Sequence, residues 1–180
     1  MTWVAELARL GSTGALGVLA PGAGLAGISA ALGEPVDLGP VSGKRGWPRR
    51  FGAGSVEMVF CPCRSLRSLT LSLVRDPVVL PGPGRGQERR FGGEVTEPAL
   101  VSALRAEGCR WQVVEYEFAQ RDLALKPAEG VHVSFAFTHG AASAAPRPEE
   151  WVLDKAGFWT SGHGPCADGG AGDRTPAPGH

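Results

Sequence analysis

Apolar and polar positions change period several times along this chain, and each change marks an element. Trp3, Leu7 and Leu10 recur at helical spacing, which predicts a short helix over 2–10 with Gly11 as its stop. Leu25, Ile28 and Leu32 repeat the pattern and predict a helix over 24–32, closed by Gly33 and Pro35. The period then falls to two. Val56, Met58 and Phe60 alternate with Ser55, Glu57 and Val59, the signature of a strand. Leu69, Leu71 and Leu73 against Ser68, Thr70 and Ser72 predict a half-buried strand over 67–75. Residues 61–65 (CPCRS) are expected to be the hairpin connection, because Pro62 cannot donate to a ladder.

Residues 76–93 are rich in Pro, Gly and Arg and read as a linker between two halves. Beyond it, Thr96 is a helix N-cap, Pro98 suits the first turn, Leu100, Val101 and Leu104 form one face, and Gly108 ends the run. Strands are predicted over 111–118, 121–126 and 131–138, with a short one around 151–153. The third is the clearest: Val131, Val133, Phe135 and Phe137 alternate with His132, Ser134, Ala136 and Thr138. Residues 161–180 have almost nothing to bury and predict a disordered tail. The expected fold is α+β: a single domain over 1–160, with two short helices packed on antiparallel β-meanders. Its halves, 20–76 and 94–160, share the element order that two copies of an αβββ unit would give.

Composition adjusts this picture modestly. A count of 27 Gly and 15 Pro in 180 residues exceeds average usage and implies many turns. Residues 1–90 carry eleven basic and six acidic side chains and residues 91–180 carry seven and twelve, so the net charge is zero and the halves can neutralise each other. That balance argues against a nucleic-acid partner, which would demand a dominant basic surface. The uncharged run 10–33 is interrupted by seven glycines and a proline and holds few large apolar residues, so no membrane segment is expected. The N-terminus has no basic lead before an apolar run, so no signal peptide is read either. Four cysteines without a secretory signal fit a reducing, cytoplasmic setting.

Chemistry-bearing residues are sparse. Cys61 and Cys63 flank one proline, and two thiolates so close together suit a soft metal or a strained redox couple. A closed zinc site needs two more ligands, and the usual cysteine spacing is two to four residues, so a pair of ordinary hairpin cysteines is the simpler reading. His132 and Ser134 share a strand face without a nucleophile elbow or oxyanion loop. The glycines of 81–86 lack the Lys-Ser/Thr of a phosphate-binding loop. If Val114, Tyr116 and Phe118 point into the core, then Glu115 and Glu117 point out beside Asp122 and His132, giving an acidic open face suited to a protein partner.

Residues 47–60 (WPRRFGAGSVEMVF) and 95–118 (VTEPALVSALRAEGCRWQVVEYEF) resemble segments of small, uncharacterised actinobacterial, Streptomyces-like α+β proteins. In these an aromatic residue, an aromatic-Gly pair and a strand glutamate precede a second half that opens with a short helix. Some are similar in layout to immunity proteins that neutralise secreted toxins. The lack of a catalytic constellation and the polar sheet face point to a non-enzymatic protein-binding domain, to which the resemblance adds an immunity or antitoxin-like role, and no cofactor is expected. The alternative is a small metal- or thiol-dependent enzyme, or a metal-binding protein, using Cys61 and Cys63.

Overall fold

The computed structural model describes residues 2–42, 46–73, 77–82, 84–116, 120–139, 147–162 and 166. Helix α1 (Trp3–Thr13) begins at Thr2, whose hydroxyl accepts the Ala5 N–H, and ends at Gly14, whose left-handed backbone lets its N–H reach the Leu10 carbonyl at 2.8 Å. Gly11 therefore does not stop the helix as expected. It is buried inside it, where a Cβ would meet Leu104 Cδ2 at 2.5 Å, so the glycine serves the close approach of two helices. Helix α2 (Leu25–Leu32) follows the predicted bounds closely and buries Ile28.

Four strands come next: β1 (Val36–Pro40), β2 (Arg49–Ala53), β3 (Val56–Phe60) and β4 (Leu66–Ser72). A hairpin, β5 (Val78–Pro81) and β6 (Glu88–Phe91), leads to helix α3 (Glu97–Ala106). The chain closes with β7 (Trp111–Tyr116), β8 (Gln120–Ala128), β9 (Val131–Thr138), a 3-10 turn at Pro148–Glu150 and β10 (Val152–Thr160). Eight strands form one antiparallel sheet in the order β1-β2-β3-β4-β10-β9-β8-β7, and β5 and β6 pair separately. The fold is α+β, as the periodicities predict. Each half is one helix followed by a four-strand meander, α2 with β1–β4 and α3 with β7–β10, and the last strands of the two meanders pair with each other. The repeated order is thus αββββ rather than αβββ; α2 and α3 are the two helices of the repeat, and α1 is the further helix that the spacing of Trp3, Leu7 and Leu10 predicts.

Residues 76–93 are not a plain linker. Val78 and Leu80 are buried, and the hairpin is tied to the β2–β3 turn by Ser55 N–H to the Val79 carbonyl (2.7 Å) and Val79 N–H to Ser55 Oγ (2.9 Å). At the other end Phe91 stacks on Trp3 at 4.9 Å and Arg89 pairs with Glu6. β5 packs because every second position, Val78 and Leu80, is buried, a short apolar run obscured by the surrounding Pro and Gly. Arg49 and Arg50 lie on β2, where Arg49 bridges to Asp37 of β1 at 2.6 Å. Lys44 and Arg45 fall outside the described residues, as does most of the expected tail. Of 161–180 the structure describes Ser161, Gly162 and Cys166, and Ser161 N–H bonds the Gly130 carbonyl at 2.9 Å.

One face of the large sheet carries the core. Val56, Met58, Phe60, Leu69, Leu71, Leu123, Leu125, Val133, Phe135, Phe137 and Phe158 point from it towards the helices, and all are buried. Fully burying a side chain of this size contributes about 1.5–3 kcal/mol, whereas an exposed ion pair contributes about 0–1 kcal/mol. Packing on this face, and not the surface salt bridges, therefore holds the fold together.

Candidate functional site

The other face of the sheet carries no covering layer among the described residues. Ladder partners share a face, so the register assigns its occupants. Ser68, Thr70 and Ser72 of β4 lie beside Trp159, Gly157 and Lys155 of β10, and these beside His132, Ser134 and Ala136 of β9. Asp122 and Ala124 of β8 and Val114 and Tyr116 of β7 continue the row. The middle is floored by small residues, the smallest being Gly157, where a Cβ would collide with the Leu69 carbonyl oxygen. The large side chains stand towards its margins: Trp159, Tyr116 and Val114 are 46%, 53% and 36% exposed. Two shallow depressions adjoin on this face, one of about 310 Å³ over Thr70, Asp122 and Ser134, the other of about 380 Å³ over Gln112, Ala124 and Lys126. Trp159 lines both, and its indole stacks on the His132 ring at 5.3 Å with the planes 8° apart.

The polar groups here satisfy one another. Ser134 Oγ donates to Asp122 Oδ2 at 2.8 Å, and Gln120 Nε2 donates to Asp122 Oδ1 at 3.1 Å. With the Ser134 hydroxyl turned to Asp122 and the His132 ring stacked on Trp159, these two residues do not form the nucleophile–base pair that acyl transfer uses.

The structure brings Asp122 and His132 onto one open face, as expected, and separates them from Glu115. Glu115 is the ladder partner of Arg121, which is in turn the partner of the buried Phe137, so Glu115 sits on the helix side and pairs with Arg121 at 3.5 Å. Arg121 also binds Glu97 of α3 at 3.2 Å and lies 4.1 Å over the Trp151 ring. Val114 and Tyr116, expected in the core, occupy the open face instead; the faces of β7 are exchanged relative to the expectation. Trp111 sets this parity, because it pairs with the buried Leu125 and turns the odd-numbered positions towards the helices. Glu117 and Phe118 lie outside the described residues. Trp159, the largest side chain on the face, was missed because β10 was expected to end near 153. The alternation of Ala156 and Phe158 with Lys155, Gly157 and Trp159 is the signal that extends it.

A second cluster of chemistry lies at the β3–β4 turn, residues 61–65. Arg64 N–H bonds the Cys61 carbonyl (2.8 Å), Cys61 N–H bonds the Ser65 carbonyl (3.1 Å), and Arg64 adopts a left-handed backbone with φ of 60°. The segment before α2 braces this turn, since Leu25 N–H bonds the Arg64 carbonyl and Leu66 N–H the Ala23 carbonyl, each at 2.9 Å. The Cys61 and Cys63 sulfurs are 2.8 Å apart, longer than the roughly 2.05 Å of an S–S bond. Cys166 Sγ lies 3.5 Å from Cys63 Sγ. The Cys61 thiol donating to Cys63, helped by Ser65, lowers the Cys63 pKa to about 6; burial, followed by the bond to Cys63, raises that of Cys61 to about 11. Burial thus favours the proton on Cys61, and the hydrogen bonds favour ionisation at the exposed Cys63. Cys109, after α3, is raised by burial and by the nearby Glu107.

A cavity of about 590 Å³ lies between α2 and the β1–β3 edge and is lined chiefly by Ile28, Leu32, Val36, Leu38 and Met58. Its carboxylates, Glu34 and Glu57, share that lining with Ser55 and Ser72 but with no histidine or cysteine. No helix among the described residues is long and apolar enough to cross a membrane. No family model, curated protein or solved structure matches this chain.

Proposed function

We infer that this chain is a non-enzymatic protein-binding domain of immunity or antitoxin type, which seats its partner on the open face of the eight-stranded sheet. The observation that carries this reading is the asymmetry of the sheet. One face is packed with large buried apolar side chains, while the other displays Trp159, Tyr116 and Val114 around a floor of Gly, Ser, Thr and Ala. Exposed aromatic residues over a smooth floor supply contact area at little cost in side-chain entropy, and Trp and Tyr are the residues that most often dominate binding energy at interfaces. Arg50, Glu57, Lys155 and Lys126 ring the floor with both signs of charge, as the polar rim of an interface does. The toxin-like polypeptide as partner rests on the sequence resemblance of residues 47–60 and 95–118 alone.

The test is capture of the polypeptide encoded beside this chain in its host, with wild-type protein and with Trp159→Ala and Tyr116→Ala. A buried aromatic anchor is worth about 2 kcal/mol or more, so Trp159→Ala should weaken capture by roughly thirtyfold or more. Equal capture by wild type and both variants would remove this face from the account.

A further inference from the structure

We propose that Cys61, Cys63 and Cys166 bind one zinc ion, which fastens the segment beyond β10 to the β3–β4 turn. This inference is independent of the sheet-face reading. Three sulfurs converge here within 4.8 Å of one another, although Cys63 and Cys166 are 103 residues apart in sequence. Thiolates are soft donors that select zinc from the common divalent ions, with Zn–S bonds of about 2.3 Å. Three sulfurs on one tetrahedral zinc stand about 3.8 Å apart by that bond length, so the observed 2.8 and 3.5 Å need an opening of no more than about 1 Å to admit the ion.

The one-residue spacing of Cys61 and Cys63 looks wrong for zinc only along the sequence. In space the turn through Pro62 and the left-handed Arg64 brings both sulfurs to one side, and the hydrogen bonds that the Ala23 carbonyl accepts from Leu66 and the Leu25 N–H donates to Arg64 brace that turn from outside. Its donors are thus held in place before the ion arrives, and a left-handed backbone at a residue other than glycine is the kind of local strain that gathers at ligand clamps. Cys166 supplies the third donor, and a water completes the tetrahedron. Binding replaces the remaining thiol protons by Zn–S bonds and releases them to solvent, with no change of oxidation state. Because the ion joins Cys166 to residues 61 and 63, it closes a long loop and stabilises the folded chain by mass action.

The full chain, reduced with a phosphine and stripped of metal, is titrated with zinc chloride against a chromophoric chelator and melted with and without zinc. The expected result is one zinc per chain and a rise of several degrees in the melting midpoint. Cys63→Ser and Cys166→Ser should each lose at least about a hundredfold in affinity, since even outer partners of a metal site are worth 10–100-fold. Cys109→Ser should bind as wild type does. Cys61 is buried and its replacement can disturb folding, so the exposed Cys63 and the distant Cys166 carry the test. Cobalt(II) in place of zinc should show thiolate-to-metal charge-transfer absorption that Cys166→Ser abolishes. Binding that is substoichiometric, or equally weak in wild type and Cys166→Ser, would overturn the proposal. So would a Cys63–Cys166 disulfide that persists in protein prepared with zinc present.

Discussion

Gly157 shows how much one missing side chain decides. It sits mid-strand on β10 between Thr70 and Ser134, where glycine is ordinarily unfavourable for entropy, yet a methyl group there would run into the Leu69 backbone. The close approach of β10 to β4, where the two halves of the sheet join, depends on that absence. Gly157→Ala should therefore destabilise the protein by about 1–3 kcal/mol, the usual cost of forcing extra volume into a filled site, as measured by denaturant unfolding. Ser134→Ala, on the same face and open above, should cost less, since it removes one hydrogen bond worth about 0.5–1.5 kcal/mol. Equal sensitivity at the two positions would mean that β10 can move away from β4 without penalty. Neither role is visible in the sequence. A strand glycine reads as a weak point until the neighbour's carbonyl is seen beside it, and Cys166 reads as part of a polar tail until its sulfur is found next to one from the β3–β4 turn.

At the scale of elements, what could be read from the chain depended on burial contrast. β4 and β9 each present one face of large buried side chains and one of small polar ones, so their period of two is unambiguous. β7 is an edge strand whose residues after Trp111 are all exposed, and with little burial contrast its parity was free to be read either way. Val114 and Tyr116 look like core residues from hydropathy alone, and Trp111 at the strand's start is the side chain that settles the matter. β1 and β2 hold a single buried residue, Phe51, and their pairing is supported instead by the Arg49–Asp37 bridge, which no periodicity reveals. The β5–β6 hairpin was hidden differently: two buried positions among Pro, Gly and Arg are too few to register as a strand. Its packing gives a direct contrast with a linker. Leu80→Ala should cost about 2–5 kcal/mol in thermal or denaturant unfolding through lost burial and an unfilled cavity. A change below about 0.5 kcal/mol, typical of surface substitutions, would return the segment to linker status.

Over the whole molecule, two helix-plus-meander halves meet at β4 and β10 and produce a sheet with unlike faces. The helices and the β5–β6 hairpin gather on one side with the apolar core, and among the described residues nothing covers the other side of the eight strands. Among the described residues Glu115 does not join Asp122 there, since it belongs to the helix side with Arg121, and the face is marked by aromatic side chains more than by charge. Recognition through it should consequently be less sensitive to salt than a charge-led interface, because burial of Trp159 and Tyr116 is not screened by ions. The measurement that tests the account most directly is an oxidative side-chain footprint of the protein with and without its bound partner. The account predicts strong protection of Trp159 and Tyr116 on binding, with Val36 and Leu38 at the far β1 edge labelled equally in both states. Labelling of Trp159 and Tyr116 that is unchanged in a stoichiometric complex would contradict it.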